Sequence, residues 1–163
     1  MRTLGIDPGI ATMGWGIVEQ QQGQLRLVEY GAILTPAGMP APDRLVMIYN
    51  QLNEIIEKHQ PTEAAIEELF FGKNVNTAIS VGQARGVALL ALAQHQLSVT
   101  EYKPNSVKQT VAGYGGADKK QMQEMVKQTL RLDKVPRPDD AADAVAIAIC
   151  HSYTAPMLRR IQG

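Results

Sequence analysis

The chain has 163 residues, 45% of them apolar, and sixteen basic residues balance sixteen acidic ones. That length and composition imply one folded domain with a packed core, and the zero net charge argues for no particular partner. A single cysteine excludes a disulfide framework and a cysteine-cluster zinc site. No uninterrupted apolar run approaches the roughly 18 residues of a membrane span, and Met1 leads straight into a strand-like run without a charged-then-apolar leader. The expectation is a cytoplasmic domain with no membrane partner.

Residues 2–7 (RTLGID) form a short apolar run ended by Pro8-Gly9, a strand stopped by turn chemistry. Residues 13–19 and 25–34 predict two further strands, with a turn at 21–24, so the chain opens as an antiparallel meander. Pro36, Gly38, Pro40 and Pro42 mark a loop. From Asp43 the period changes: Leu45, Ile48, Tyr49, Leu52, Ile55 and Ile56 recur at three and four, an amphipathic helix that stops before Pro61. Residues 64–67 predict a short buried strand, 76–95 a long alanine-rich helix, and 97–102 a fifth strand. Pro104 is placed to open a helix. Gly113, Gly115 and Gly116 break the chain before an Asp118 cap and a helix over 119–132. A last helix is predicted over 140–153. The domain therefore spans 1–155, followed by a basic, frayed tail at 156–163. Alternating strands and helices after a meander predict an α/β fold with a mixed sheet and helices on both faces.

The zero charge conceals a segregation. Between Asp43 and Glu68 six acids face two bases, whereas between Thr100 and Arg137 eight bases face four acids. The basic stretch is either a footprint for phosphates or the ordinary solvated faces of two helices.

Three groups of carboxylates stand at element ends. Asp7 closes the first strand, at the rim where open α/β sheets bind ligands, although Asp-Pro-Gly is also common turn chemistry. Glu67 closes the fourth strand and is followed by Glu68 and by the chain's two phenylalanines, Phe70 and Phe71. One of these aromatics belongs in the core; the other is free to stack on a nucleobase. Asp140 and Asp143, preceded by Asp139, share one face of the last helix, where acids also serve as caps. Gathering four or five like charges is costly unless cations neutralise them. Oxygen-only donors favour Mg²⁺ or Mn²⁺, and two such ions about 4 Å apart activate water and stabilise the leaving oxygen of a phosphodiester. The chemistry is that of a nuclease.

The stretches GIDPG (5–9), GWGIV (14–18), AIEELFFGKN (65–74), GQARGVA (82–88), VKQTVAG (107–113) and DAADAVAIAI (140–149) occur in an order that resembles the RuvC family of Holliday-junction resolvases, a branch of the ribonuclease H-like superfamily. The resemblance spans nearly the whole chain. It implies a ribonuclease H-like five-stranded sheet, three strands antiparallel and two parallel. It assigns the catalytic, metal-binding carboxylates to Asp7, Glu67, Asp140 and Asp143, with two Mg²⁺ ions per site and Mn²⁺ able to substitute. Lys108 and Lys119 correspond to the family's phosphate-contacting lysines and Phe70 to the aromatic inserted at the branch point, which leaves Phe71 as the buried partner. Asp139 adds an acid to the usual pattern. The resemblance also implies a homodimer that nicks two strands of like polarity on a four-way DNA junction and works with a branch-migration motor. Actin-like ATPases share the GIDPG start but need two lobes. A nuclease for structured RNA and a catalytically silent junction binder remain as alternatives. For the dimer surface, the small residues Ala78, Ala84, Gly86, Ala88, Ala91 and Ala93 of the 76–95 helix allow a close helix–helix approach, or pack that helix on its own sheet.

Overall fold

Alternation along the first strand, β1 (Arg2–Asp7), sends Leu4 and Ile6 to one face and Gly5 and Asp7 to the other. The computed structural model describes residues 1–70 and 72–163. After β1 come β2 (Thr12–Gln21), β3 (Gln24–Leu34), α1 (Ala41–His59), β4 (Glu63–Glu67), α2 (Val75–Gln94), β5 (Ser98–Tyr102), α3 (Pro104–Ala112), α4 (Lys119–Thr129) and α5 (Asp139–Gln162). The five strands form one sheet in the order β3-β2-β1-β4-β5. β1, β2 and β3 pair antiparallel, while β4 joins β1 and β5 joins β4 in parallel. This is the ribonuclease H-like arrangement that the family resemblance implied.

One face of the sheet, carrying Leu4, Ile6, Met13, Trp15, Ile17 and Ile66, is covered by Ile48, Leu52 and Ile56 of α1 and by the alanines of α2. The other, carrying Val18, Ala65 and Tyr102, is covered by α5, with Val107 and Val111 of α3 and Val126 of α4 behind it. Glycines let α5 lie unusually close. A Cβ on Gly14 would sit 1.9 Å from the Asp140 carbonyl oxygen, and one on Gly5 would sit 2.1 Å from that of Ala144. Since Asp7 is paired with Gly14, the first turn of α5 rests on β2 right beside the end of β1, and its second turn rests on Gly5 of β1. Contact of helix and strand backbones thus brings two distant parts of the sequence together.

The structure departs from the sequence expectations most clearly in three places; in addition, α4 ends at Thr129 and not at residue 132. First, α1 begins at Ala41, because Pro42 in a first helical turn sacrifices no helical hydrogen bond. Second, α5 runs through Pro156 to Gln162 instead of ending at Tyr153. Ser152 turns its hydroxyl back to Ala148 O at 2.9 Å, Ala155 is buried, and the Arg159 guanidinium pairs with Glu63, so the helix continues past Pro156 although residues 156–163 are exposed. Third, the small residues of α2 divide. Ala78, Ala84, Ala88 and Ala91 are buried against their own chain, while Gly86 and Ala93 are exposed. Beside those two, Val75, Ile79 and Leu90 are 65%, 53% and 52% exposed. The open stripe of this helix is therefore Val75, Ile79, Gly86, Leu90 and Ala93. By length and composition α2 could cross a membrane, but its alanine face is part of the core.

Candidate active site

Asp7 ends β1, and Asp140 and Asp143 stand in the first turns of α5. One carboxylate oxygen from each lies within 4.8 Å of the others. Glu67 ends β4, one residue beyond the Ile6–Ile66 pair, and flanks this cluster. It lines a cavity of about 340 Å³ together with Asp143, Lys108, Lys119 and Met122. The sequence-predicted carboxylates and both lysines are thus gathered at one end of the sheet.

The electrostatics of the cluster are strained. Burial, followed by the charges of Glu67, Asp143 and Asp140, pushes the Asp7 carboxyl up to about 8. Glu67 is raised by burial and by Asp143. Burial also raises Asp143, with the Lys119 ammonium opposing it. Such carboxylates ionise together only when a cation compensates them. The donors are all oxygen, so the residues present fit a hard divalent ion, Mg²⁺ or Mn²⁺.

Asp139 stands apart from the three-carboxylate cluster. Its Oδ1 accepts from Arg137 Nη1 at 2.5 Å and from Gln123 Nε2 at 3.2 Å, and its Oδ2 lies 3.3 Å from Lys119 Nζ. Of the two adjacent aspartates, Asp140 is the one that joins Asp7 and Asp143.

Phe70 sits in the loop between β4 and α2 with 60% of its surface exposed. It lines a second cavity, of about 570 Å³, which reaches from Pro8 and Glu67 at the carboxylates to Asn74, Thr77 and Arg85 of the helix side. Phe71, expected as the buried partner, lies outside the described residues.

A family model for crossover junction endodeoxyribonuclease RuvC matches residues 3–151. The chain belongs to the RuvC family. A Chloroflexus aggregans crossover junction endodeoxyribonuclease RuvC is 72% identical over 160 residues, covering 98% of both chains. The protein of that name from Roseiflexus sp. (strain RS-1) is 65% identical over 161 residues, covering 99% of this chain and 96% of its own. Among solved structures, Thermus thermophilus RuvC in complex with a Holliday junction substrate superposes with a TM-score of 0.92 at 37% identity, covering 96% of each chain. The yeast mitochondrial Holliday junction resolvase Ydc2, at 14% identity and a TM-score of 0.72, shares the fold.

Two features of this RuvC-family site escaped the sequence. Arg85 lies within the GQARG stretch, and its side chain is 14% exposed, pairs with Glu101 at 2.7 Å and lines the cavity beside Phe70. The spacing of Thr77, Val81 and Arg85, four residues apart on one helix face, was the available signal. The second is a buried network behind the site. His151 Nε2 donates to Glu63 at 2.6 Å, and the Tyr102 hydroxyl donates to His151 Nδ1 at 2.9 Å. Burial pushes His151 down to about 4, and a neutral imidazole beside the Glu63 carboxylate, which can only accept, carries its proton on Nε2. The network ties α5 to β4 and β5. Glu63 and Glu67, four apart on a strand, share the α5 face, a pattern legible in EAAIE.

Proposed function

We propose that this chain is a structure-selective endodeoxyribonuclease that resolves four-way DNA junctions by nicking two strands of like polarity symmetrically, in DNA recombination and repair. The observation that carries this is the cluster of Asp7, Asp140 and Asp143 within 4.8 Å, bordered by Glu67 and two lysines, in a chain whose relatives are named crossover junction endodeoxyribonucleases. Asp7, Glu67, Asp140 and Asp143 would hold the divalent ions, two Mg²⁺ per site, with Mn²⁺ able to replace them. Bound there, the ions supply Lewis acidity at the phosphodiester and lower the pKa of the attacking water.

The chain's own residues do the rest. Lys108 and Lys119, which line the cavity together with Glu67 and Asp143, hold the backbone phosphates of the cleaved strand in register. Phe70, exposed on the loop, stacks on an unpaired base at the branch point. Junction selectivity follows from that contact, because a continuous duplex offers no free base face. Two matched nicks need two sites, so the active form is a two-fold homodimer in which the exposed α2 stripe of one copy meets that of the other. A branch-migration motor is the further partner, and the cytoplasm, where bacterial DNA lies, is the location.

The test is a competition between substrates. With Mg²⁺ present, the protein cuts a synthetic four-way junction at least tenfold faster than a linear duplex or a structured RNA of matched length. Equal cutting of all three, or preference for the RNA, would overturn the proposal.

A further inference from the structure

Lys119 occupies an exposed position, and lysine side chains there ordinarily sample many rotamers. Its backbone is fixed by a reciprocal cap. Asp118 Oδ1 accepts from Gln121 N, and Asp118 N donates to Gln121 Oε1, both at 2.8 Å. What holds the ammonium is a different matter. Its distance to Asp143 Oδ2, 3.9 Å, is at the outer limit of an ion pair, whereas Asp139 Oδ2 is at 3.3 Å. Asp139 is itself clamped through its other oxygen by Arg137 and Gln123. It therefore offers Lys119 one pre-oriented acceptor, and it stands on the same helix as Asp140 and Asp143.

We infer that Asp139 is a positioning residue for Lys119. It holds the ammonium at the mouth of the cavity lined by Glu67, Lys108 and Asp143, so that the phosphate-holding lysine and the carboxylate cluster are placed by one helix. The extra acid is then no spare ligand but a tether between α4 and the chemistry. The inference rests on the proposed contact of Lys119 with a phosphate.

A double-mutant cycle tests it, read by single-turnover cutting of a four-way junction and by Mn²⁺ titration of the protein without DNA. Asp139→Asn slows cutting about fivefold, the size of one exposed ion pair, and leaves the Mn²⁺ midpoint unchanged. Asp139→Glu restores most of the rate. In a Lys119→Ala background, Asp139→Asn has no further effect. Asp139→Ala, which removes the clamp as well, gives the same pattern. A wild-type rate for Asp139→Asn, an equal loss with and without Lys119, or a weakened Mn²⁺ midpoint would overturn the tether, the last by making Asp139 a ligand. If instead Lys119→Ala cuts at the wild-type rate, the phosphate contact itself fails, and the tether fails with it.

Discussion

Replacing Asp7 by Asn keeps the shape of the side chain and removes the charge that its surroundings resist most. In the metal-free protein the Asp7 carboxyl titrates near 8 instead of the usual 3.8. Between those two values the folded protein holds a proton that the unfolded chain has lost, so this group makes stability fall as pH rises, with the full cost reached above about pH 8. Moving a carboxyl from 3.8 to about 8 corresponds to at most roughly 6 kcal/mol. Asp7 keeps some contact with solvent, which brings the expected cost to about 2–4 kcal/mol. Asp7→Asn should therefore stabilise the metal-free protein at pH 9 by that amount, raising its melting temperature by roughly 5–12 °C. The gain should shrink steadily as pH falls toward 4. The same variant should lose junction nicking while keeping junction binding, and Mn²⁺ should raise the melting temperature of the wild type far more than that of the variant. Thermal unfolding in EDTA from pH 5 to 9 measures the effect. Parallel pH curves for the two proteins would refute the electrostatic account of the cluster.

Gly14→Ala would drive a Cβ into the Asp140 carbonyl oxygen; the shift of α5 should destabilise the protein by about 1–3 kcal/mol and reduce nicking at least tenfold, as read by melting and single-turnover cutting. Phe70→Ala should weaken junction affinity by about 1–3 kcal/mol with an unchanged melting temperature, because the ring is largely exposed; a parallel loss of melting temperature would place it in the core instead. Tyr102→Phe leaves His151 Nδ1 buried without its donor and should cost about 1–3 kcal/mol in chemical denaturation, with little effect on Mn²⁺ binding.

Much of the fold was legible because its signals are local. Pro8-Gly9 stops β1 where turn chemistry says it should, and the change from alternation to a three-and-four period at Asp43 marks the passage from meander to helix. The carboxylates were legible for a related reason: Asp7, Glu67, Asp140 and Asp143 all stand at element ends; the sheet order brings the ends of β1 and β4 together, and the glycine contacts bring the start of α5 to them. What escaped depends on partners far along the chain. Periodicity shows that α2 has an alanine face and a face with Val75, Ile79 and Leu90, but not which one the core takes; the alanines turn inward, where their small size fits the close packing of α2 onto the core. Asp139 and Asp140 are adjacent and chemically identical in sequence, and only the positions of Lys119, Gln123 and Arg137 separate their roles. The basic stretch 156–163 reads as a tail, whereas α5 continues to Gln162 with Arg159 on Glu63.

The central claim, that one carboxylate cluster per subunit cuts a junction symmetrically, is met most directly by mapping nicks on a four-way junction labelled in turn on each of its four strands. With Mg²⁺, the wild-type protein should place two nicks at corresponding positions on one pair of strands of like polarity, none in EDTA, and none with Asp7→Asn under either condition. Cuts scattered along the arms, nicks on strands of opposite polarity, or undiminished cutting by Asp7→Asn would contradict it.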